Sequence, residues 1–265
     1  DVVLTGENTY GGSTSVLFQS PQLRFHDDSN LGTPPSTPTD QALFARNNAQ
    51  IRVVRPGTTT GLHRATLHPN RGLWLQGGKL LSGSAVEIVH EGPVHFEGGF
   101  LTGFDGHLVL GGTSTYTGST SYDLFGDSGK VTITDAAVLG SSSGNSSVRG
   151  TIVDLKGIGT TTEPWEVGDN GGLRNSAQDA ATLLEGTVTL ADKWGGNANY
   201  FAGGDIHVTG DIVNSGGTNF TRIGPGTLTI SGASDPAGTA TFTGGAVVLD
   251  HTTDNTDKLN SSGNL

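Results

Sequence analysis

The sequence predicts an all-β fold, a single-stranded parallel β-helix whose coils run about 20 residues each and carry loop excursions. Three observations predict it. Glycine fills 43 of 265 positions, well above the usual share of about 7%. Helix signals are nearly absent, and short period-two strands recur between Gly, Asn, Asp and Ser corners.

In chain order, the clearest alternating strands are residues 50–54, 85–89, 130–134, 187–190, 227–230 and 246–249. Each places every second side chain on one face and so needs an inside on that face alone. The one stretch with helical character is 175–185 (NSAQDAATLLE), where Ser176 stands as a cap before an Ala-rich run. One short helix is expected there, or none.

The corners resemble one another. Gly77-Gly78 in LWLQGGKLLSG is echoed by Gly98-Gly99 in VHFEGGFLTG and Gly111-Gly112 in HLVLGGTSTYTG. Farther on, FAGGDIHV at Phe201, IGPGTLTI at Ile223 and FTGGAVVL at Phe242 repeat an apolar residue, a Gly-rich corner and a strand. Recurrence about every 20 residues is what a three-sided coil requires, and roughly a dozen coils would make a rod on the order of 55 Å. A β-sandwich has short strands too, but its strands need not repeat a motif. A propeller needs a longer period with its own aromatic signature.

Two regions break the rhythm within what is read as one β-helical domain over 1–265. Residues 31–40 (LGTPPSTPTD) form an expected surface loop, because Pro34, Pro35 and Pro38 donate no ladder hydrogen bond. Residues 141–196 are expected to hold irregular, loop-rich coils. The chain opens inside a repeat and stops where another would start, so a segment of a longer chain is expected, with self-association through its coil ends.

Composition narrows the partners. A net charge of -11 opposes nucleic acid and anionic lipid, which call for concentrated Lys and Arg. No apolar run approaches the roughly 20 residues that span a bilayer, so no membrane insertion of this segment is expected. With neither Cys nor Met, thiolate chemistry is excluded, which suits an exported bacterial protein.

Candidate chemistry is sparse. A glycosidase needs two carboxylates about 5 to 10 Å apart, and the nearest groups are Asp27-Asp28 and the set Asp250, Asp254 and Asp257. Neighbours on a strand face opposite ways, and Asp is a favoured turn residue, so both groups read as corners. Neither has the spacing of an EF-hand or a calcium-binding nonapeptide. His63 with His68 and His90 with His95 are five apart, which puts each pair on opposite strand faces, so solvent-facing or corner histidines are expected there and at His251. Trp74, in the alternating LWLQ strand, is expected in the core; Trp165 and Trp194 are open. The Asn-X-Ser/Thr triplets at Asn145, Asn219 and Asn260 matter only in a glycosylating host. No catalytic, cofactor-binding or metal-binding residue is assigned.

Three stretches resemble the autotransporter-associated β-strand repeat, also called the passenger-associated transport repeat, of bacterial surface proteins. Its pattern reads roughly G-x-G-T-L-x-L-x-G-x-N-T-Y-x-G-x-T. Residues 2–14 (VVLTGENTYGGST) match the second half through Asn8, Thr9, Tyr10, Gly11 and Gly12. Residues 108–120 match again, with Ser114 in place of Asn and with Thr115, Tyr116 and Gly118 kept. Residues 220–232 supply the first half through Gly224, Gly226, Thr227 and Leu228, after which Ala233-Ser234-Asp235-Pro236 departs from the pattern. The resemblance implies export, a β-helical passenger and a place outside the cell or on the bacterial surface; it implies no catalytic residue, because the repeat is structural.

The expected function is therefore an extracellular structural or adhesive bacterial surface protein that assembles end to end into fibres and is not an enzyme. Its expected partners are further copies of itself, with surface glycans or other cells as additional targets, and no cofactor is expected. The alternatives are a carbohydrate-active enzyme on the same fold, a polysaccharide lyase or glycosidase, and a phage tailspike or fibre segment.

Overall fold

The computed structural model describes residues 1–17, 21–57, 60–98, 100–103, 106–114, 118–123, 129–141, 143–191, 198–215, 217–235, 238–253 and 258. The chain is all-β, a parallel β-solenoid with about 23 residues per turn, slightly longer than the expected coil. It divides into two compact units, Asp1–Ser141 and Ser142–Leu265.

The first unit holds β1 (Val2–Leu4), β2 (Thr14–Val16), β3 (Gln22–Phe25), β4 (Thr39–Arg46), β5 (Gln50–Val53), β6 (His63–Leu67), β7 (Arg71–Gln76), β8 (Lys79–Ser82), β9 (Val86–His90), β10 (Val94–Glu97), β11 (Phe100–Gly103), β12 (His107–Leu110), β13 (Thr120–Asp123) and β14 (Lys130–Ile133). They form three parallel ladders: a first sheet β1-β3-β5-β8-β11-β13, a second β6-β9-β12-β14 and a third β2-β4-β7-β10. Each strand therefore hydrogen-bonds to the strand one turn away, and the strands next to it in sequence belong to other sheets.

Register makes the core. In the first sheet Leu23, Ile51 and Leu80 sit on one another, as do Phe25 and Val53, all at 5% exposure or less. In the third sheet Leu43, Leu73 and Val94 form one inward row and Ala45, Leu75 and Phe96 another. Stacked aliphatic rows let short strands of low overall hydrophobicity bury a continuous interior.

The second unit repeats the plan with β15 (Ser146–Arg149), β16 (Ile152–Asp154), β17 (Gly159–Thr161), β18 (Trp165–Gly168), β19 (Gly172–Asn175), β20 (Thr182–Leu184), β21 (Val188–Ala191), β22 (Ala198–Gly203), β23 (Ile206–Val208), β24 (Ile212–Ser215), β25 (Asn219–Ile223), β26 (Thr227–Ile230), β27 (Ser234–Asp235), β28 (Ala240–Phe242) and β29 (Ala246–Leu249). Its sheets run β15-β18-β21-β24-β27, β16-β19-β22-β25-β28 and β17-β20-β23-β26-β29. Trp165, Val188 and Ile212 stack inward, so Trp165 is a core residue, 1% exposed.

Of the span 141–196, residues 142 and 192–196 lie outside the described residues, and the strands from β15 to β21 stack in regular turns. Its polar stretches are corners between β15 and β21, whose strands pair in register. No helix forms at 175–185, because the Asn175 side chain organises a turn there. Its Nδ2 donates to the carbonyls of Ala180 at 2.7 Å and Asp205 at 2.8 Å, and its Oδ1 accepts from the Ala177 N–H. Local side-chain bonds of this kind outcompete a short helix. Of the expected surface loop 31–40, Leu31 and Gly32 are buried and Thr39 and Asp40 belong to β4, while 33–40 are mostly exposed and the Asn70 Nδ2 donates to the Pro35 carbonyl.

The paired glycines serve the corners. Gly77, Gly98, Gly112, Gly203 and Gly245 all have positive φ, a conformation that costs other residues strain. At Gly203, with φ +82, an added Cβ would lie 2.2 Å from the Asn175 carbonyl oxygen of the turn below.

Buried cations close other corners. Arg71, 0% exposed, binds Asp28 at 2.8 Å through Nε and donates to the carbonyls of Leu31 and Gly32. Arg222, also 0% exposed, donates to the carbonyls of Phe201, Gly203, Gly204 and Ile223. Two outcomes follow for thermal or urea unfolding. Gly203→Ala destabilises the second unit more than Ala at Gly217, whose φ is also positive but whose Cβ would meet nothing within 4 Å. Arg71→Met costs the first unit about 3–5 kcal/mol, since it leaves the Asp28 carboxylate and two corner carbonyls without their cation.

Candidate binding face

In strand β7, RGLWLQ, Leu73 and Leu75 take the inward positions, which leaves Trp74 and Gln76 outward. Trp74 is thus half-buried on the outer face of the third sheet, a correction to the core position expected for it. Parallel register places Phe44, Trp74 and His95 in one row and Arg46, Gln76 and Glu97 in the next outward row. Strands about 4.8 Å apart bring such neighbours into contact.

The aromatic row is tightly organised. The His95 ring stacks on Trp74 with centroids 3.8 Å apart and planes 29° from parallel. Phe44 meets the other side of Trp74 edge-on, at 6.4 Å and 89°. In the polar row the Gln76 Nε2 donates to one Glu97 oxygen at 2.7 Å, and the His95 Nε2 lies 2.9 Å from the other. The bond from His95 holds the exposed Glu97 carboxyl below its ordinary value, with Gln76 adding to the effect. Beside His95 opens a cavity of about 80 Å³ lined by Asp40, Pro93, Val94, His95 and Thr113. The face therefore combines carboxylates, an amide and an imidazole with a fixed apolar ridge.

A second outward row crosses the second sheet. Arg64 Nε lies 3.2 Å from Glu87, and the other Glu87 oxygen lies 3.0 Å from His107 Nδ1. The opposite ring nitrogen of His107 is 2.9 Å from the Thr132 hydroxyl. An imidazole between a carboxylate and a hydroxyl is the hydrogen-bond order of a nucleophilic relay. Thr132 is only 8% exposed, however, and the β12 and β14 backbones around it are committed to their parallel ladder, so convergent donors for an oxyanion are not positioned by those strands.

The sequence-selected groups are dispersed. Asp27 faces His63 at 3.5 Å, while Asp28 holds Arg71 and accepts from the His68 N–H at 3.1 Å. The two carboxylates thus serve different partners. Asp250 caps a turn by accepting from the Thr252 N–H at 2.9 Å, and His251 is exposed. Asp254, Asp257, Trp194, Tyr116 and Asn260 lie outside the described residues. His63 bonds the His26 carbonyl, and His95 belongs to the aromatic row. His90 departs from the expected surface position: it takes an inward site in register with Leu67 and Leu110 and is 0% exposed. Among the described residues no group of three or more His, Asp or Glu side chains is placed to hold a metal ion.

Sequence reading missed Phe44, Gln76, Glu97, Glu87, His107 and Thr132 because their partners lie one turn away. The contacts Gln76 to Glu97 and Glu87 to His107 span 21 and 20 residues. Outward polar residues separated by one repeat were the signal that could have found them.

Two buried groups titrate unusually, one in each unit. Burial pushes the His90 imidazole down to about 4, although its Nε2 donates to the Pro93 carbonyl at 3.2 Å. Burial likewise pushes the Glu163 carboxyl up to about 7, despite the bond it accepts from the Ser146 hydroxyl at 2.9 Å.

No protein-family model, curated protein or solved structure matches the chain. Its assignment therefore ends at the parallel β-solenoid fold.

The two buried groups give opposite pH dependences. The unfolded chain protonates His90 near 6.5 and the folded one near 4, so the His90 contribution is full above 6.5 and is lost as pH falls toward 4. For Glu163 the unfolded value is 4.5 and the folded value about 7, so stability is greatest below 4.5 and is lost as pH rises toward 7. Glu163→Gln is expected to raise the melting temperature at about pH 8 and leave it little changed at about pH 4, as read by calorimetry.

Proposed function

We propose that this chain is an extracellular structural or adhesive protein of the bacterial surface, which presents the outer faces of its parallel ladders and associates end to end with further copies. The observation that carries this reading is the parallel ladder itself. Nearly all regular structure in both units is spent on stacking turns, and a strand at the end of such a ladder offers unpaired N–H and C=O groups to another strand. Apolar side chains accompany those groups on the terminal strands: Val2 and Val3 on β1 are 57% and 51% exposed, Phe242 on β28 is 40% and Val248 on β29 is 45%.

The resemblance to the autotransporter-associated repeat supports the same reading, since Asn8 of its NTY corner ties two turns together through a bond from Nδ2 to the Asn30 carbonyl at 2.7 Å. The likeness contributes no catalytic role. A hydrolytic reading draws on the hydrogen-bonded Glu87, His107 and Thr132 and is weaker, because a nearly buried hydroxyl on a sheet surface meets substrate poorly.

Negative-stain electron microscopy over a range of concentrations tests the proposal. Wild-type protein is expected to form uniform fibres that dissolve in Phe242→Asp with Val248→Asp, while circular dichroism of the variant stays β-rich. Isolated particles of monomer mass at every concentration overturn end-to-end association, and a defined trimer redirects the reading to a tailspike. Release of reducing sugar or unsaturated product from polysaccharides would favour the enzyme.

A further inference from the structure

We propose that the outer face of the third sheet in the first unit binds a neutral polysaccharide, with Asp40 and His95 holding the hydroxyl edge of one sugar residue in the cavity beside the Phe44–Trp74–His95 ridge. This names the ligand class for the adhesive function above and rests on that reading.

Three properties of the face lead there. The first is size. A cavity of about 80 Å³ exceeds the roughly 10–15 Å³ that one water occupies but falls far short of the 300–1,000 Å³ of an enclosing ligand pocket. It accepts the polar edge of a ring and leaves the rest of the molecule lying across the sheet, as an extended chain does.

The second is the pairing of apolar walls with planar polar groups. Pro93 and Val94 bring aliphatic residues to the opening, and Asp40, Thr113 and His95 bring polar ones to the same lining. A sugar ring likewise carries C–H groups on its faces and hydroxyls around its rim, and a carboxylate accepts from such hydroxyls through two oxygens. His95 links the cavity to the rest of the face, since it stacks on Trp74 and contacts Glu97.

The third is preorganisation. Trp74 is clamped between two rings, and Glu97 is fixed by Gln76 and His95, so little side-chain freedom remains to be lost on binding. The fixed Glu97 and the nearby Asp40 repel uronates and sulfated sugars. Arg46, in the same row as Glu97 but two strands away, is the cation that an acidic glycan would use instead.

Affinity electrophoresis of the whole chain in gels containing soluble β-glucan, galactomannan or polygalacturonate tests the assignment. Retardation by at least one neutral polymer is expected, with a loss of tenfold or more in Asp40→Asn and in His95→Phe. Asp40 is exposed and His95→Phe preserves an aromatic ring against Trp74, so both variants are expected to keep the wild-type melting temperature. No retardation by either neutral polymer, retardation by polygalacturonate alone, or binding unaffected by both substitutions overturns the proposal. Fibres that form normally in Asp40→Asn separate this result from the assembly reading, which depends on the terminal strands.

Discussion

The structure depends on hydrogen bonding between strands one turn apart in parallel, in-register ladders. Because paired residues of a strand sit on their counterparts in the turn before, each turn must repeat the inward choices of its neighbour. Leucine on isoleucine on leucine satisfies that demand at no polar cost. A polar residue in such a row, such as His90 between Leu67 and Leu110, is held neutral by burial, and the ladder leaves it little room to escape.

The same constraint shapes the corners. Between sheets the chain must bend from one face to the next within a few residues while its carbonyls crowd those of the adjacent turn. Glycine with positive φ meets the steric part of that problem. Cations meet the electrostatic part: Arg222 donates to four carbonyls at and beside a corner, and Lys258 donates to the carbonyls of Ser231 and Gly232. These side chains act inside the protein, where each satisfies several acceptors at once.

Much of the fold was legible in the sequence. Strands at 227–230 and 246–249 coincide with β26 and β29, since alternating Leu, Ile and Val flanked by Gly leaves few other solutions. Trp74 was misplaced because bulk hydrophobicity argued for the core, whereas the parity of Leu73 and Leu75 around it argued for the surface. Residues 175–185 looked helical by composition, and the side chain of one asparagine was enough to decide otherwise. The candidate face was not legible because its members come from β4, β7 and β10 and meet only once the register is known. The length of the turn varies, so a periodicity of about 20 locates coils without fixing which residue stands over which.

The buried corner cations bear on how the chain meets proteases. Trypsin-like enzymes must draw a lysine or arginine side chain into a specificity pocket before they cut. Of the 14 such residues in the sequence, Arg71, Arg222 and Lys258 are at most 1% exposed and engaged with backbone carbonyls. The peptide bonds that follow them become substrates only when the corner holding the cation opens. Cleavage at those three sites therefore measures the opening of individual turns, and a cation-reading protease becomes a local probe of how firmly each coil is latched to the next.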